Sequence, residues 1–181
     1  MNEEYFDILD AEGNVTGDKK LRSEAHARGL WHSVVHIYFF RTRGNATEFL
    51  VHLRAKTKDL NPGTWDIRFG GHVKAGERIA QAVRGELNDE TGITATMDDL
   101  ITGPIRKAEY YPNNEFQHVF FYPFNGDEKK LDYKDGEVKD VRWMSEEEIR
   151  ASMNKEPDFW AASVATLEDI VEILKEKLNK T

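Results

Sequence analysis

Gly70 to Ile93 reads GGHVKAGERIAQAVRGELNDETGI, and the rest of the chain is interpreted outward from it. Paired glycines open the stretch, Ala75-Gly76-Glu77 turns the chain, and a helix is expected from about Arg78 to Thr91. Gly92 is a natural stop, because a left-handed residue after the last turn suits glycine. Helical neighbours lie three and four residues apart, so Glu86, Asp89 and Glu90 share one face. Crowded carboxylates repel. Either the face is simply solvated, as charged helix faces commonly are, or a divalent cation relieves the repulsion. Oxygen-only ligands select a hard ion, magnesium or manganese.

Before this stretch the pattern is mostly β. YFDIL (5–9) reads as a strand that turns at Glu12-Gly13-Asn14 into a second, giving an N-terminal hairpin over residues 3–17. Residues 19–29 are polar and basic, with Ser23 a candidate helix cap. From Trp31, HSVVHIYFF is β-branched and aromatic, predicting a buried strand that ends near Arg41. Gly44-Asn45 turns it into a partner strand, EFLVHLRA (48–55). Residues 56–63 form a loop, and Trp65 to Phe69 a further strand.

After the stretch, residues 100–111 and 115–124 read as strands joined at Pro112-Asn113-Asn114, followed by a polar loop over 125–136. EVKDVRWM (137–144) alternates as a strand, and Ser145-Glu146-Glu147-Glu148 opens a helix in capping-box fashion. A last helix, about 166–178, lines up Leu167, Ile170, Val171, Leu174 and Leu178 on one stripe. There is no internal repeat and no linker, so the expectation is a single α/β domain over 1–181.

Composition narrows the function. The 181 residues suffice for one sizeable core. A net charge of −8 without a basic run argues against nucleic-acid backbone binding. The absence of cysteine excludes disulfides, thiolate metal sites and a cysteine nucleophile. The first residues lack the pattern of a secretory signal, and no apolar run reaches membrane-spanning length, so a cytoplasmic enzyme is expected.

The spacing of the stretch resembles the signature box of the Nudix hydrolases. Gly71, five residues, Glu77, seven residues, then Gly85-Glu86-Leu87-Asn88-Asp89-Glu90-Thr91-Gly92-Ile93 follow that box over 71–93, with two departures. Gly85 replaces the family's arginine and Asp89 its glutamate. The order of elements over roughly residues 3–175 is also similar to that family. The opening FDILDAEGNVTG, the GLWHSVVHIYFF strand and the loop before Trp65 look like the branch related to isopentenyl-diphosphate isomerase. The resemblance implies an α/β/α sandwich with a mixed β-sheet. It also implies cleavage of a small-molecule diphosphate, such as a nucleoside diphosphate derivative, by water attack on phosphorus.

By match to the motif, Glu86, Glu90 and Asp89 would hold magnesium (or manganese), with the Gly70 carbonyl as a further ligand. Glu115, before a strand that follows the box, resembles a carboxylate ligand that relatives supply from outside it, its alternative being a loop-end glutamate. Glu86 is also the candidate general base, and Gly71, Glu77 and Gly92 are structural. Arg54, Lys56, Lys58 and Arg68 are candidates for gripping the diphosphate, their alternative being ordinary surface solvation. The family's arginine fixes the box glutamates. Glycine cannot, and Arg84 points about 100° away around the helix. His26, His32 and His72 fall near the metal-binding histidines of the isomerases, so with Glu115 they form a second candidate metal site; otherwise they are structural. His36, His52 and His118 read as packing residues, and Trp65 as structural. Three functions stay open: a magnesium-dependent diphosphate hydrolase, an isomerase, and a binding domain without turnover. Gly70 stands at the isomerases' cysteine, which counts against the second. A homodimer is compatible with the strand edges.

Overall fold

The computed structural model describes residues 3–58, 60–110, 113–133 and 136–180. The strands are β1 Tyr5–Leu9, β2 Val15–Leu21, β3 His32–Arg43, β4 Ala46–Arg54, β5 Trp65–Asp66, β6 Ile101–Tyr110, β7 Asn113–Pro123 and β8 Val138–Ser145. The α-helices are α1 Arg22–Ala27, α2 Ile79–Thr91, α3 Glu146–Lys155 and α4 Val164–Leu178. β1 and β2 form a two-stranded sheet, tied by the Leu9 amide to the Trp31 carbonyl at 2.9 Å, and the other six strands form one sheet in the order β5-β4-β3-β7-β6, with β8 also on β4. β3 and β7 run parallel while the remaining pairs are antiparallel, so the sheet is mixed.

The unbroken apolar run of β3 follows from burial on both faces. Val35, Ile37 and Phe39 pack toward α2, in one core with Leu50, Phe69, Val83 and Leu87. Tyr38 and Phe40 belong to the opposite core, with Ile149 and Met153 of α3 and Leu167, Ile170, Val171 and Leu174 of α4. The result is an α/β/α sandwich. Among the described residues no helix is long and apolar enough to cross a membrane.

Four expectations about element limits change. The strand expected over Trp65 to Phe69 lasts two residues on β4, because the chain then leaves β4 for β3. There the Ile37 and Phe69 amides donate to each other's carbonyls at 2.8 and 2.9 Å. The hairpin runs past residue 17 to Leu21, which is itself the residue before α1, so Ser23 lies inside the helix rather than capping it. Leu178 is 40% exposed, the α4 stripe losing its cover at the last turn. Asn113 and Asn114 belong to β7 rather than to the turn before it, while residues 111 and 112 lie outside those described.

The N-terminal hairpin is fastened to the turn that precedes α2. The Gly76 amide donates to Asp7 Oδ2 at 2.6 Å, and the Ala75 amide to the Tyr5 carbonyl at 2.7 Å.

Candidate active site

Gly70 and Gly71 are the pivot of the site, and each is glycine for a steric reason. Gly70 has φ +123°, and a Cβ there would lie 2.1 Å from the Val35 carbonyl oxygen. At Gly71 a Cβ would lie 2.7 Å from Glu86 Oε1. The glycine pair therefore lets β3 approach on one side and a carboxylate on the other. The Gly70 amide donates to Glu90 Oε2 at 2.6 Å. Two carboxylates one helical turn apart thus converge on one short piece of backbone.

α2 delivers them. It begins at Arg78, whose amide donates to Gln81 Oε1 at 3.0 Å, and ends on Gly92 in the left-handed conformation at φ 72°. Glu77 accepts from the Lys74 amide at 3.0 Å and so closes the turn before the helix. Glu90 is 5% exposed, Glu86 is half-buried and Asp89 is exposed. Burial pushes the Glu86 carboxyl up to about 7; the nearby Glu137 and Asp89 push the same way, against Lys74 and Lys58. That surplus of negative charge in a partly desolvated place suits a divalent cation. Arg84 turns outward, its Nε donating to the Ala80 carbonyl at 3.2 Å, and a Cβ at Gly85 would meet nothing within 4 Å.

On the α4 side of the sheet a cavity of about 630 Å³ opens. Alternation along the strands supplies its floor, with Val34 and His36 from β3, Glu115 and Gln117 from β7, and Arg106 and Ala108 from β6. Gly70, Gly71 and His72 form a wall shared with the carboxylate site, whereas Glu86 and Glu90 are not part of the lining. The candidate cations divide. Arg54 and Arg68 line the cavity, Lys56 is exposed outside it, and Lys58 pairs with Glu137. Glu115 is buried and accepts from Gln117 Nε2 at 3.0 Å, beside His32 in the β3–β7 register.

His26, His32 and His72 come together, with one ligand nitrogen from each lying within 4.8 Å of the others. Among the described residues this is the one set of three such donors that closes to that spacing, and the box acids do not. Phe6 stacks on His32 and His72 at ring separations of 4.9 and 4.6 Å. His32 Nδ1 is 2.8 Å from the Leu30 carbonyl, leaving its Nε2 buried without a partner. Burial, with Arg22 and the neighbouring rings, lowers His72 to about 2, and burial lowers His32, so both rings are neutral at physiological pH. Neutral imidazole is the form that binds metals. Sequence reasoning missed Asp66, Glu137 and Asp7; an acid inside the apolar run WDIRF was the one available signal, for Asp66.

A mixed-sheet α/β/α sandwich with a glycine-led carboxylate helix is the class that the geometry defines. The chain belongs to the NUDIX domain family, which matches residues 30–164. It is similar to an uncharacterized Nudix hydrolase of Clostridium acetobutylicum, 37% identical over 67% of this chain and 60% of that protein. The chain thus spans less than two thirds of that relative. An uncharacterized Nudix hydrolase of Listeria monocytogenes is 31% identical over 82% of this chain and 83% of its own. Isopentenyl-diphosphate isomerase 2 of Photorhabdus laumondii is 28% identical over 87% and 86%. Among solved structures, a Deinococcus radiodurans protein shares the fold with a TM-score of 0.70 at 20% identity, covering 94% of this chain and 99% of its own. The NUDIX domain of Shewanella oneidensis NrtR, solved with ADP-ribose, gives 0.54 at 13% identity over 81% and 87%.

Proposed function

We propose that this chain hydrolyses a diphosphate linkage in a small molecule, with magnesium or manganese at the box carboxylates. One observation carries the reading: Glu86 and Glu90 converge on Gly70 and Gly71 at the wall of a cavity that also holds Arg54 and Arg68. Glu86, Glu90 and Asp89 would hold the cation, with the Gly70 carbonyl beside them. Bound there, the ion would neutralise diphosphate charge and make water more acidic. Arg54 and Arg68 bind and orient phosphate oxygens. Glu86 takes the proton from the attacking water onto a carboxylate oxygen. The ADP-ribose held by the Shewanella domain makes a nucleoside diphosphate sugar the first substrate to try.

The isomerase reading lacks its chemistry. The chain has no cysteine, and the backbone at Gly70 leaves no room for any side chain. A second metal site at His26, His32 and His72, with Glu115 alongside, is favoured by the unpartnered Nε2 of His32. Imidazole donors suit zinc or another first-row transition metal. A panel of diphosphate substrates with magnesium and with manganese, read by phosphate release, tests the main reading. Glu86→Gln is expected to abolish metal-dependent release while circular dichroism is unchanged. Wild-type rates in that variant, or nucleotide binding without turnover across the panel, would sink it.

A further inference from the structure

Asp66 lies in the cavity wall at 1% exposure, and the chemistry above gives it no task. Its Oδ1 accepts from the Arg68 amide and from Arg68 Nε, both at 3.1 Å, and its Oδ2 from Arg68 Nη2 at 3.2 Å. Arg54 Nη1 stands 3.6 Å from the same Oδ2. Arg54 is fixed a second time, donating from Nη2 to the Leu60 carbonyl at 3.0 Å and from Nε to that of Asn61 at 3.3 Å. Two guanidinium forks from different parts of the chain are therefore set side by side in one wall.

Arg54 and Arg68 line the cavity together with Glu115. His52, opposite Asp66 in the β4–β5 register, adds no charge beside the two guanidinium groups, because burial lowers its pKa to about 4. Burial would raise the Asp66 carboxyl, but Arg68, His52 and Arg54 hold it below the usual carboxylate range, so it stays ionised. Paired guanidinium forks match the oxygens of phosphate.

We propose that Asp66 is a positioning residue, holding Arg54 and Arg68 as one paired seat for a phosphate group of the substrate. The assignment rests on the diphosphate reading above and adds to it the residue that builds the seat. It also has a distinctive sign. Removing a negative charge beside two cations should tighten anion binding if charge alone matters. Loss of positioning loosens it.

The test is calorimetric titration of inorganic pyrophosphate into the intact protein in magnesium buffer, with urea unfolding as the check on folding. Asp66→Asn is expected to weaken pyrophosphate binding by about tenfold or more, the loss of one well-oriented charge-assisted contact. Asp66→Glu, which keeps the charge, should recover part of it. In any substrate that is turned over, the effect falls on KM rather than on kcat. Unchanged or tighter pyrophosphate binding in folded Asp66→Asn overturns the proposal, as does absence of pyrophosphate binding to the wild type. Should Asp66→Asn fail to fold, Arg68→Lys keeps the charge but removes the fork; a similar loss supports the seat and unchanged affinity overturns it. Failure of every diphosphate in the panel to be hydrolysed refutes the hydrolase reading alone, since pyrophosphate titration reads the seat without turnover.

Discussion

Replacing Gly70 by alanine asks whether β3 and the glycine wall approach as closely as described. An ideal Cβ would sit 2.1 Å from the Val35 carbonyl oxygen, against about 3.3 Å for ordinary carbon–oxygen contact, so something must move by about 1 Å. The obstacle is backbone in the middle of the sheet, not the end of a flexible side chain. A residue other than glycine at φ +123° adds strain of order 1–3 kcal/mol, and overpacking another 1–3 kcal/mol. The expected loss is about 2–6 kcal/mol, a large part of a typical domain's stability. Urea unfolding measures it, with Gly76→Ala as the control. Gly76 is also left-handed at φ +79°, but its Cβ would meet only Lys19 Nζ at 3.8 Å, so about 1 kcal/mol is expected. Equal midpoints for the two variants would refute the close approach. Gly70→Cys should be destabilised like the alanine variant and form no allylic isomer from isopentenyl diphosphate; product formation would reopen the isomerase reading.

Glu86→Gln should oppose activity and stability to each other. Burial raises the carboxyl from 4.5 to about 7, so between those values the folded chain keeps a proton that the unfolded chain releases, and stability falls as pH rises through that window. In EDTA at pH 8 the variant is therefore expected to gain up to about 3 kcal/mol over wild type, shrinking toward zero near pH 4; equal denaturation midpoints at pH 8 would contradict this. Gly85→Ala should stabilise by about 1 kcal/mol, because the position is helical and a methyl group meets nothing within 4 Å; a loss in urea unfolding would show hidden crowding there. Dialysis against zinc or manganese followed by elemental analysis should find retained metal in the wild type and much less in His72→Ala, and equal retention would remove the histidine site.

The parts of the molecule that repeat locally were legible in the sequence. The limits of α2, its stop at Gly92 and the Ser145–Glu148 capping box depend on neighbours three or four residues away, and β3 announces itself by continuous apolar character. What could not be read depends on pairing across the sheet. Lys58 and Glu137 are 79 residues apart, and nothing in either segment points to the other. Asp66 becomes a partner of Arg54 only because β5 pairs with β4 for two residues before the chain changes to β3. The same switch explains why the expected strand to Phe69 was too long. Equally hidden was the division of the cations, since whether Arg54 or Lys56 faces the cavity depends on how β4 ends.

The hairpin at the start of the chain changes where a practical boundary belongs. The family match begins at residue 30, yet Asp7 holds the amide of Gly76, and His26 stands 3.3 Å from His72 across the same junction. A fragment trimmed to the recognisable portion would discard the strap around the loop that aims α2, together with one of three imidazoles. Expression work on this protein and its close kin should therefore treat those first thirty residues as working parts, and suspect any shortened version that folds but does nothing.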